Sequence, residues 1–267
     1  MSAPAARFFL VDAFGRGPLT GNQAAVLLLD AWPDDETLRR IAAELMVAET
    51  AFLVPDRSGA ADWQLRWFTP QVEVLLCGHG TLGAAHALLQ DASGAVRVRF
   101  ATRWSGVLEV ARDGEILVVS LPVIPVEAGP VPGQGLLGAP RETFRSAKGY
   151  NLLVYAEEAE IRALAPDFAA LAALGPQQFI CTAPAAAPGA AIATRVFVPG
   201  KGVPEDAATG SAHAVLARYW AQRLGQARFS AWQASPRGGW FDVELAGDRV
   251  LLGGRCTTVV EGTFRLP

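Results

Sequence analysis

Cysteine is scarce in this chain. Its 267 residues include Cys77, Cys181 and Cys256, an odd and scattered set with no C-x-x-C spacing, so the sequence suggests neither a disulfide framework nor a zinc cluster. An excess of positive charge is also missing. Lys and Arg number 23 against 26 Asp and Glu, which leaves no basic footprint for nucleic acid. Mean hydropathy is positive at +0.24, yet no unbroken apolar run approaches the roughly 18 residues a membrane span needs. The opening residues Met1-Ser2-Ala3-Pro4-Ala5-Ala6-Arg7 lack the basic and long apolar regions of a signal peptide. These absences lead us to expect a soluble, cytoplasmic protein with no nucleic-acid or membrane partner.

Abundant apolar residues fill the space the charged ones leave. Hydrophobic residues make up 51% and charged ones 18%, a balance that belongs to compact globular chains. The length suits one large domain or two of about 130 residues, either able to bury a core.

One stretch organises the rest: Cys77-Gly78-His79-Gly80-Thr81-Leu82-Gly83-Ala84-Ala85, after the apolar run 72–76. It predicts a strand that stops at a glycine turn and feeds a helix. The first turn of a helix leaves N–H groups unpaired at the positive end of its dipole, where a carboxylate or phosphate can sit. Small residues let a ligand approach, and Cys77 and His79 bring reactive side chains to that place. A tightly packed buried helix with a core cysteine and a capping histidine accounts for the same residues. Far downstream, Thr209-Gly210-Ser211-Ala212-His213-Ala214 repeats the pattern, with Cys77 on Thr209, Gly78 on Gly210 and His79 on Ser211. The chain therefore looks like two copies of one unit.

Local patterning supports this order. Strands are expected at 7–14 and 24–29, a helix opened by Asp34 and Asp35 with Leu38, Ile41, Ala42 and Leu45 on one face, and a strand from Glu49 onward. Glu49 abuts a nearly unbroken apolar run, so its carboxylate is paired, lies at a solvated edge, or is disfavoured as an anion by desolvation. Strands follow at 63–69, 96–100, 106–111 and 116–121, with Asp113-Gly114 as a hairpin turn. The proline-rich stretch 122–135 is expected to be a crossover between domains. The second half predicts strands at 142–146, 152–155, 178–182 and 192–198, helical turns at 161–174 and loops at 183–191 and 199–206. A helix at 210–224 and strands at 227–233, 240–245, 249–252 and 256–260 complete it, with Gly247-Asp248 turning one hairpin. Two copies of this kind commonly leave a cleft with both helix starts facing it.

Several constellations invite chemistry. Asp206, Thr209 and Ser211 could simply cap the second helix. Cys77, His79 and His86 make a poor metal set, since their spacing resembles no zinc site, and no metal is expected. Cys77 as a thiolate favoured by a helix N-terminus is more credible. Gly78-x-Gly80-x-x-Gly83 matches a dinucleotide fingerprint only formally, with no ribose-binding acid about 20 residues on. Ser211 and His213 are two residues apart and would point to different sides of the helix, which argues against a nucleophilic triad with Asp206.

Taken together, the chain resembles the phenazine-biosynthesis (PhzF-like) isomerase family. The resemblance is carried by Gly21-Asn22-Gln23-Ala24-Ala25-Val26, Glu49-Thr50-Ala51-Phe52, Trp67-Phe68-Thr69-Pro70 with Glu73, Cys77-Gly78-His79-Gly80-Thr81-Leu82, Glu205-Asp206-Ala207-Ala208-Thr209-Gly210-Ser211 and the final strands through Gly253-Gly254. It implies an α/β (α+β) fold of two pseudo-symmetric diaminopimelate-epimerase-like domains, each a curved, barrel-like sheet around a central helix, with the active site between them. The domains are expected at 1–121, joined by the tail at about 258–267, and at 136–257. The family also implies a homodimer that needs no cofactor. By residue, it implies Glu49 as the proton-shuttling acid/base and His79, Asp206 and Ser211 as groups that position or polarise the substrate, with Asn22, Cys77, Gly78, Gly80, Thr209 and Gly210 around it. Gly80 stands where the family usually has Ala, and Ala207 where it usually has Pro. Related epimerases use two facing cysteines; here Thr209 holds the second position, and a hydroxyl cannot replace a thiolate as base. The expected function is cofactor-independent proton transfer, by 1,3-shift or epimerisation, on a small carboxylate-bearing metabolite. A Cys77/Glu49 epimerase and a non-catalytic metabolite-binding protein are the alternatives.

Overall fold

The computed structural model describes residues 5–90 and 94–267; Met1 to Pro4, part of the stretch read for a signal peptide, lie outside them. The chain divides into two compact units, Met1–Ser120 with Gly253–Pro267, and Leu121–Leu252.

In the first unit the chain runs β1 (Ala5–Gly15), β2 (Asn22–Leu28), α1 (Asp35–Leu45), β3 (Glu49–Pro55), β4 (Trp63–Phe68), β5 (Glu73–Val74), α2 (Gly78–Leu89), β6 (Arg97–Thr102), β7 (Val107–Asp113) and β8 (Ile116–Pro122). The second continues with β9 (Glu127–Ala128), β10 (Glu142–Arg145), β11 (Tyr150–Val154), α3 (Glu158–Arg162), α4 (Phe168–Ala172), β12 (Gln178–Pro184), β13 (Ile192–Val198), β14 (Val203–Asp206), α5 (Gly210–Leu224), β15 (Arg228–Gln233) and β16 (Gly239–Ala246), and β17 (Arg249–Arg265) returns to the first.

The first sheet closes on itself. β1 pairs with β2, β2 with β3, β3 with β4, β4 with β6, β6 with β7 and β7 with β8, and β17 pairs with both β8 and β1. Inside it sits α2, which touches β1, β2, β3, β6 and β7. That helix is buried on nearly every side because it is built from Gly, Ala, Leu and Thr rather than an amphipathic pattern. Gly83 eases the packing there, since a Cβ would lie 3.0 Å from the Ala24 Cβ on β2. By contrast α1 is amphipathic. Asp34 caps it by accepting the Thr37 N–H at 2.7 Å, and Leu38, Ile41 and Ala42 pack against Leu27, Phe52 and Phe68. Each such aromatic or Leu side chain contributes about 1.5–3 kcal/mol on burial.

The strand pairings repeat in the second unit. Two parallel pairs bridge helices in each: β2–β3 and β4–β6 in the first, β11–β12 and β13–β15 in the second. Ala24 opposite Glu49 begins the first parallel pair and Tyr150 opposite Gln178 its counterpart. Even an ion pair is duplicated. Arg66 grips Glu73 with two bonds across β4 and β5, and Arg195 grips Glu205 at 2.7 and 2.8 Å across β13 and β14. Both forks are about nine-tenths buried, where bidentate geometry fixes the short strand ahead of each helix start.

Some expected elements differ. The apolar run 72–76 forms only the two-residue β5, with Val72 and Leu75 exposed. The expected loop 199–206 contains β14, held by the Arg195–Glu205 fork, and the stretch 122–135 contains β9 and the start of a short helical turn at Gln134–Leu137. Ala183 and Pro184 extend β12. The strands expected at 249–252 and 256–260 are one, β17. Gly254 does not break it: a Cβ there would fall 2.3 Å from Phe14 Cδ1, so the glycine lets an aromatic ring lie against a continuous strand.

Candidate active site

Glu49 begins β3 beside the first residues of α2, and this register brings its carboxylate to His79. The Glu49 Oε2 and His79 Nε2 lie 3.0 Å apart. On the other edge of the ring, Nδ1 lies 3.2 Å from Asn22 Nδ2 and 3.6 Å from Cys77 Sγ. The Nε2 proton is the one donated to Glu49, and Asn22 faces Nδ1 as donor to a neutral ring or, with its amide turned, as acceptor from a charged one. His79 is buried, whereas the Glu49 side chain keeps 22% of its surface exposed. Its Oε1 takes no partner among the described residues.

Electrostatics sharpen this cluster. Burial works against a charged His79 ring, but the Cys77 sulfur, when ionised, and the Glu49 carboxylate favour it, and the balance raises its pKa above the ordinary histidine value. Cys77 moves the opposite way from the expectation of an activated thiolate. Burial pushes its pKa up and Glu49 adds to that, outweighing the His79 ring and the Gly80 N–H. The sulfur acts as an N-cap instead, accepting the Gly80 N–H at 3.3 Å. Gly80 is bare for a reason: a Cβ there would lie 2.9 Å from Trp67 Cδ1 and 3.0 Å from the Cys77 sulfur. Gly78 opens the helix within the same buried turn.

In the second unit, Thr209 does not cap α5 with its side chain. Its hydroxyl donates to Asp206 Oδ2 at 2.6 Å, and Gln233 clamps the turn by accepting the Thr209 N–H at 2.9 Å and donating to the Asp206 carbonyl at 2.6 Å. Ser211, one residue after Gly210, accepts from Gln178 Nε2 at 3.2 Å. No triad forms, because His213 Nδ1 bonds to the Thr209 carbonyl at 2.9 Å. Gln178 and Gln233 escaped the sequence reading, for only the strand register shows that Gln178 occupies the position of Glu49.

His86 is not part of the cluster around His79; its Nε2 pairs with Thr258 Oγ1 at 3.0 Å. Among the described residues, Glu49, Cys77 and His79 are the potential metal ligands that converge, their donor atoms all within 4.8 Å of one another.

A family model described as phenazine biosynthesis-like protein matches residues 11–262. The chain belongs to the phenazine biosynthesis-like family. A family relative from Pseudomonas aeruginosa, described as an uncharacterised isomerase, is 45% identical over 262 residues, covering 97% of this chain and 98% of its own. The crystal structure of a PhzF-family phenazine biosynthesis protein from Enterococcus faecalis superposes with a TM-score of 0.89 at 34% identity, over 98% of this chain and 99% of the other. A hydroxyproline epimerase from Agrobacterium vitis, solved with trans-4-hydroxy-L-proline, shares the fold alone, with a TM-score of 0.62 at 13% identity over 98% and 93%. This family member is thus an isomerase on a diaminopimelate-epimerase-like fold.

Proposed function

We propose that this isomerase moves a proton within a small carboxylate-bearing metabolite, with Glu49 taking the proton from carbon and returning it to carbon. The observation that supports this most is the pair formed by Glu49 Oε2 and His79 Nε2 at 3.0 Å. A general base needs one oxygen aimed and another open. His79, pinned from behind by Asn22, orients the carboxylate through Oε2 and leaves Oε1 for the substrate. When Glu49 gains the proton, the hydrogen bond from His79 holds the carboxylic acid in the same pose, so the proton can be delivered to a different carbon or to the other face of the first.

Acidity at the reacting carbon would come from an adjacent unsaturation or carbonyl in the substrate, so the reaction as proposed calls on no cofactor. The start of α5, which carries Asp206, Thr209 and Ser211, has N–H groups that favour an anion, the charge that the proposed carboxylate substrate presents. Cys77 contributes shape and an N-cap rather than a second base, because burial keeps its thiol protonated.

Proton NMR in D2O tests this directly. A panel of unsaturated cyclic carboxylates and amino carboxylates is incubated with the wild type and with Glu49→Gln. Loss of one carbon-bound proton signal with the wild type alone is expected, and the position that gains deuterium separates a positional shift from an epimerisation. Equal exchange by Glu49→Gln would remove Glu49 from the role of base. Ligand binding with no exchange by either protein would favour a binding protein.

A further inference from the structure

We propose that Thr209 and Gln233 are positioning residues for Asp206: the threonine that stands where related epimerases carry their second cysteine aims a carboxylate rather than acting as a base. Counting protons around Gln233 fixes every direction. Gln233 is wholly buried on β15. The Thr209 backbone N–H can only donate, so the side-chain atom 2.9 Å from it is the amide oxygen Oε1. That settles which end of the amide is Nε2, and its two protons go to the Asp206 carbonyl at 2.6 Å and to Thr209 Oγ1 at 3.1 Å. Thr209 Oγ1 therefore receives one hydrogen bond and has a single proton of its own to give. It gives that proton to Asp206 Oδ2, 2.6 Å away. A hydroxyl polarised from behind donates more strongly, and a bond to a carboxylate is of the strong, charge-assisted kind.

The relay has little room to rearrange. Thr209 is held through its backbone N–H by Gln233 and through its carbonyl, which accepts from His213 Nδ1 at 2.9 Å. A β-branched side chain on a fixed backbone has few rotamers open to it. Gln233 is fixed in turn by pairing with Gly239 on β16 and Thr194 on β13. Asp206 Oδ2 is thus committed as an acceptor, and a proton gained by Asp206 is favoured on Oδ1, where it does not compete with the hydroxyl. Glu49 is held in the same manner, with His79 engaging Oε2. An imidazole aims the carboxylate in the first unit and a hydroxyl in the second. That the aimed Asp206 takes part in turnover rests on the isomerase reading above; the relay itself rests only on the hydrogen bonds.

Carbon-13 NMR of protein labelled at its aspartate carboxyls reads the relay without an assay of turnover, the Asp206 signal being the one that Asp206→Asn lacks. Thr209→Val, isosteric but without the hydroxyl, is expected to shift that signal at pH 7, and Thr209→Ser to keep it at the wild-type position. Gln233→Met, similar in length, is expected to shift it as well, with circular dichroism unchanged. Should Gln233→Met fail to fold, Thr209→Val carries the test alone. On a substrate found by the D2O panel, kcat is expected to fall by about 10–100-fold in Thr209→Val with KM little changed, and to recover most of the loss in Thr209→Ser. An Asp206 signal that stays in place in Thr209→Val, or that shifts equally in Thr209→Ser, overturns the proposal. A shifted signal with undiminished kcat would leave the relay standing and remove Asp206 from the reaction.

Discussion

The two helix starts of this protein have the same construction and opposite chemical character. In each, a short strand gripped by a bidentate Arg–Glu pair leads into a buried helix whose third motif residue bonds to the first residue of a parallel strand. In the first unit that bond joins an imidazole to a carboxylate, His79 to Glu49. In the second it joins a hydroxyl to an amide, Ser211 to Gln178, with Lys201 Nζ donating to the same amide at 3.3 Å. The scaffold therefore supplies a contact point and the side chains decide its use. A Glu and His there can exchange protons at neutral pH, whereas a Gln and Ser can only donate and accept hydrogen bonds.

The sharpest way to break this contrast is to write the second start into the first. Glu49→Gln copies Gln178 and preserves size, so the fold is expected to persist while kcat falls by about 10²–10⁴-fold, the range a positioned acid/base group contributes. The reciprocal Gln178→Glu is expected to restore nothing. It places a carboxylate at a buried position beside Ser211 and Lys201, for a stability loss of about 1–3 kcal/mol by urea denaturation. A Glu49→Gln protein with wild-type kcat would erase the functional difference between the two starts.

A second contrast concerns the N-cap carbonyl. Thr81 donates to the Cys77 carbonyl at 2.6 Å, and His213, at the equivalent place, bonds to the Thr209 carbonyl at 2.9 Å while stacking on Phe241 at 3.7 Å. The second unit thus uses an ionisable group for a structural bond. Burial lowers the His213 pKa to about 4, against the opposing pull of the Thr209 carbonyl. Because the folded value lies below the unfolded value of 6.5, the unfolded chain binds more protons between them, and stability is lost as pH falls from about 6.5 toward 4. The loss is on the order of 3 kcal/mol. His213→Thr, which copies Thr81, is expected to be less stable at pH 7 through lost packing but to lack that part of the acid dependence. Urea unfolding at both ends of the window reads the difference; identical pH slopes in the two proteins would remove His213 as the acid-sensitive group.

Much of this symmetry was legible in the sequence. Aligning Cys77 with Thr209 set the two helix starts in register, and the apolar faces of α1 and the α5 boundaries followed from periodicity. What stayed hidden depended on partners distant in sequence. Gln178 has no local feature that distinguishes it from any polar strand residue; it becomes the counterpart of Glu49 only through pairing with Tyr150. β14 lies in a stretch rich in Pro, Gly and charge, and becomes a strand because Arg195 reaches Glu205 across the sheet. The state of Cys77 was misjudged because a helix N-terminus favours a thiolate while the surroundings that oppose it come from burial and from Glu49 on another strand. The strands expected at 249–252 and 256–260 are one for a similar reason, since the ring that Gly254 makes room for belongs to Phe14.

The smallest expected effect tests whether packing keeps the two starts distinct. Gly80 of the first corresponds to Ala212 of the second, and Trp67, opposite Ala51 in β3, corresponds to Val196, opposite Ile180 in β12. A large residue thus accompanies the glycine and a small one the alanine. Gly80→Ala gains about 1 kcal/mol of helix propensity, but its Cβ would meet the indole of Trp67 at 2.9 Å. Trp67 is a buried ring, 2% exposed, and cannot swing aside as a flexible chain end would. Overpacking of this kind costs about 1–3 kcal/mol, so a net loss near 1 kcal/mol is expected, with a change in tryptophan fluorescence. Trp67→Val alone opens a cavity and is expected to cost more. In Gly80→Ala/Trp67→Val the added methyl occupies vacated space, so the double variant is expected to be more stable than the sum of the singles predicts, by about 1 kcal/mol. Additive effects would mean that the two positions vary independently and that the exchange of Gly and Trp for Ala and Val between the units has no packing basis.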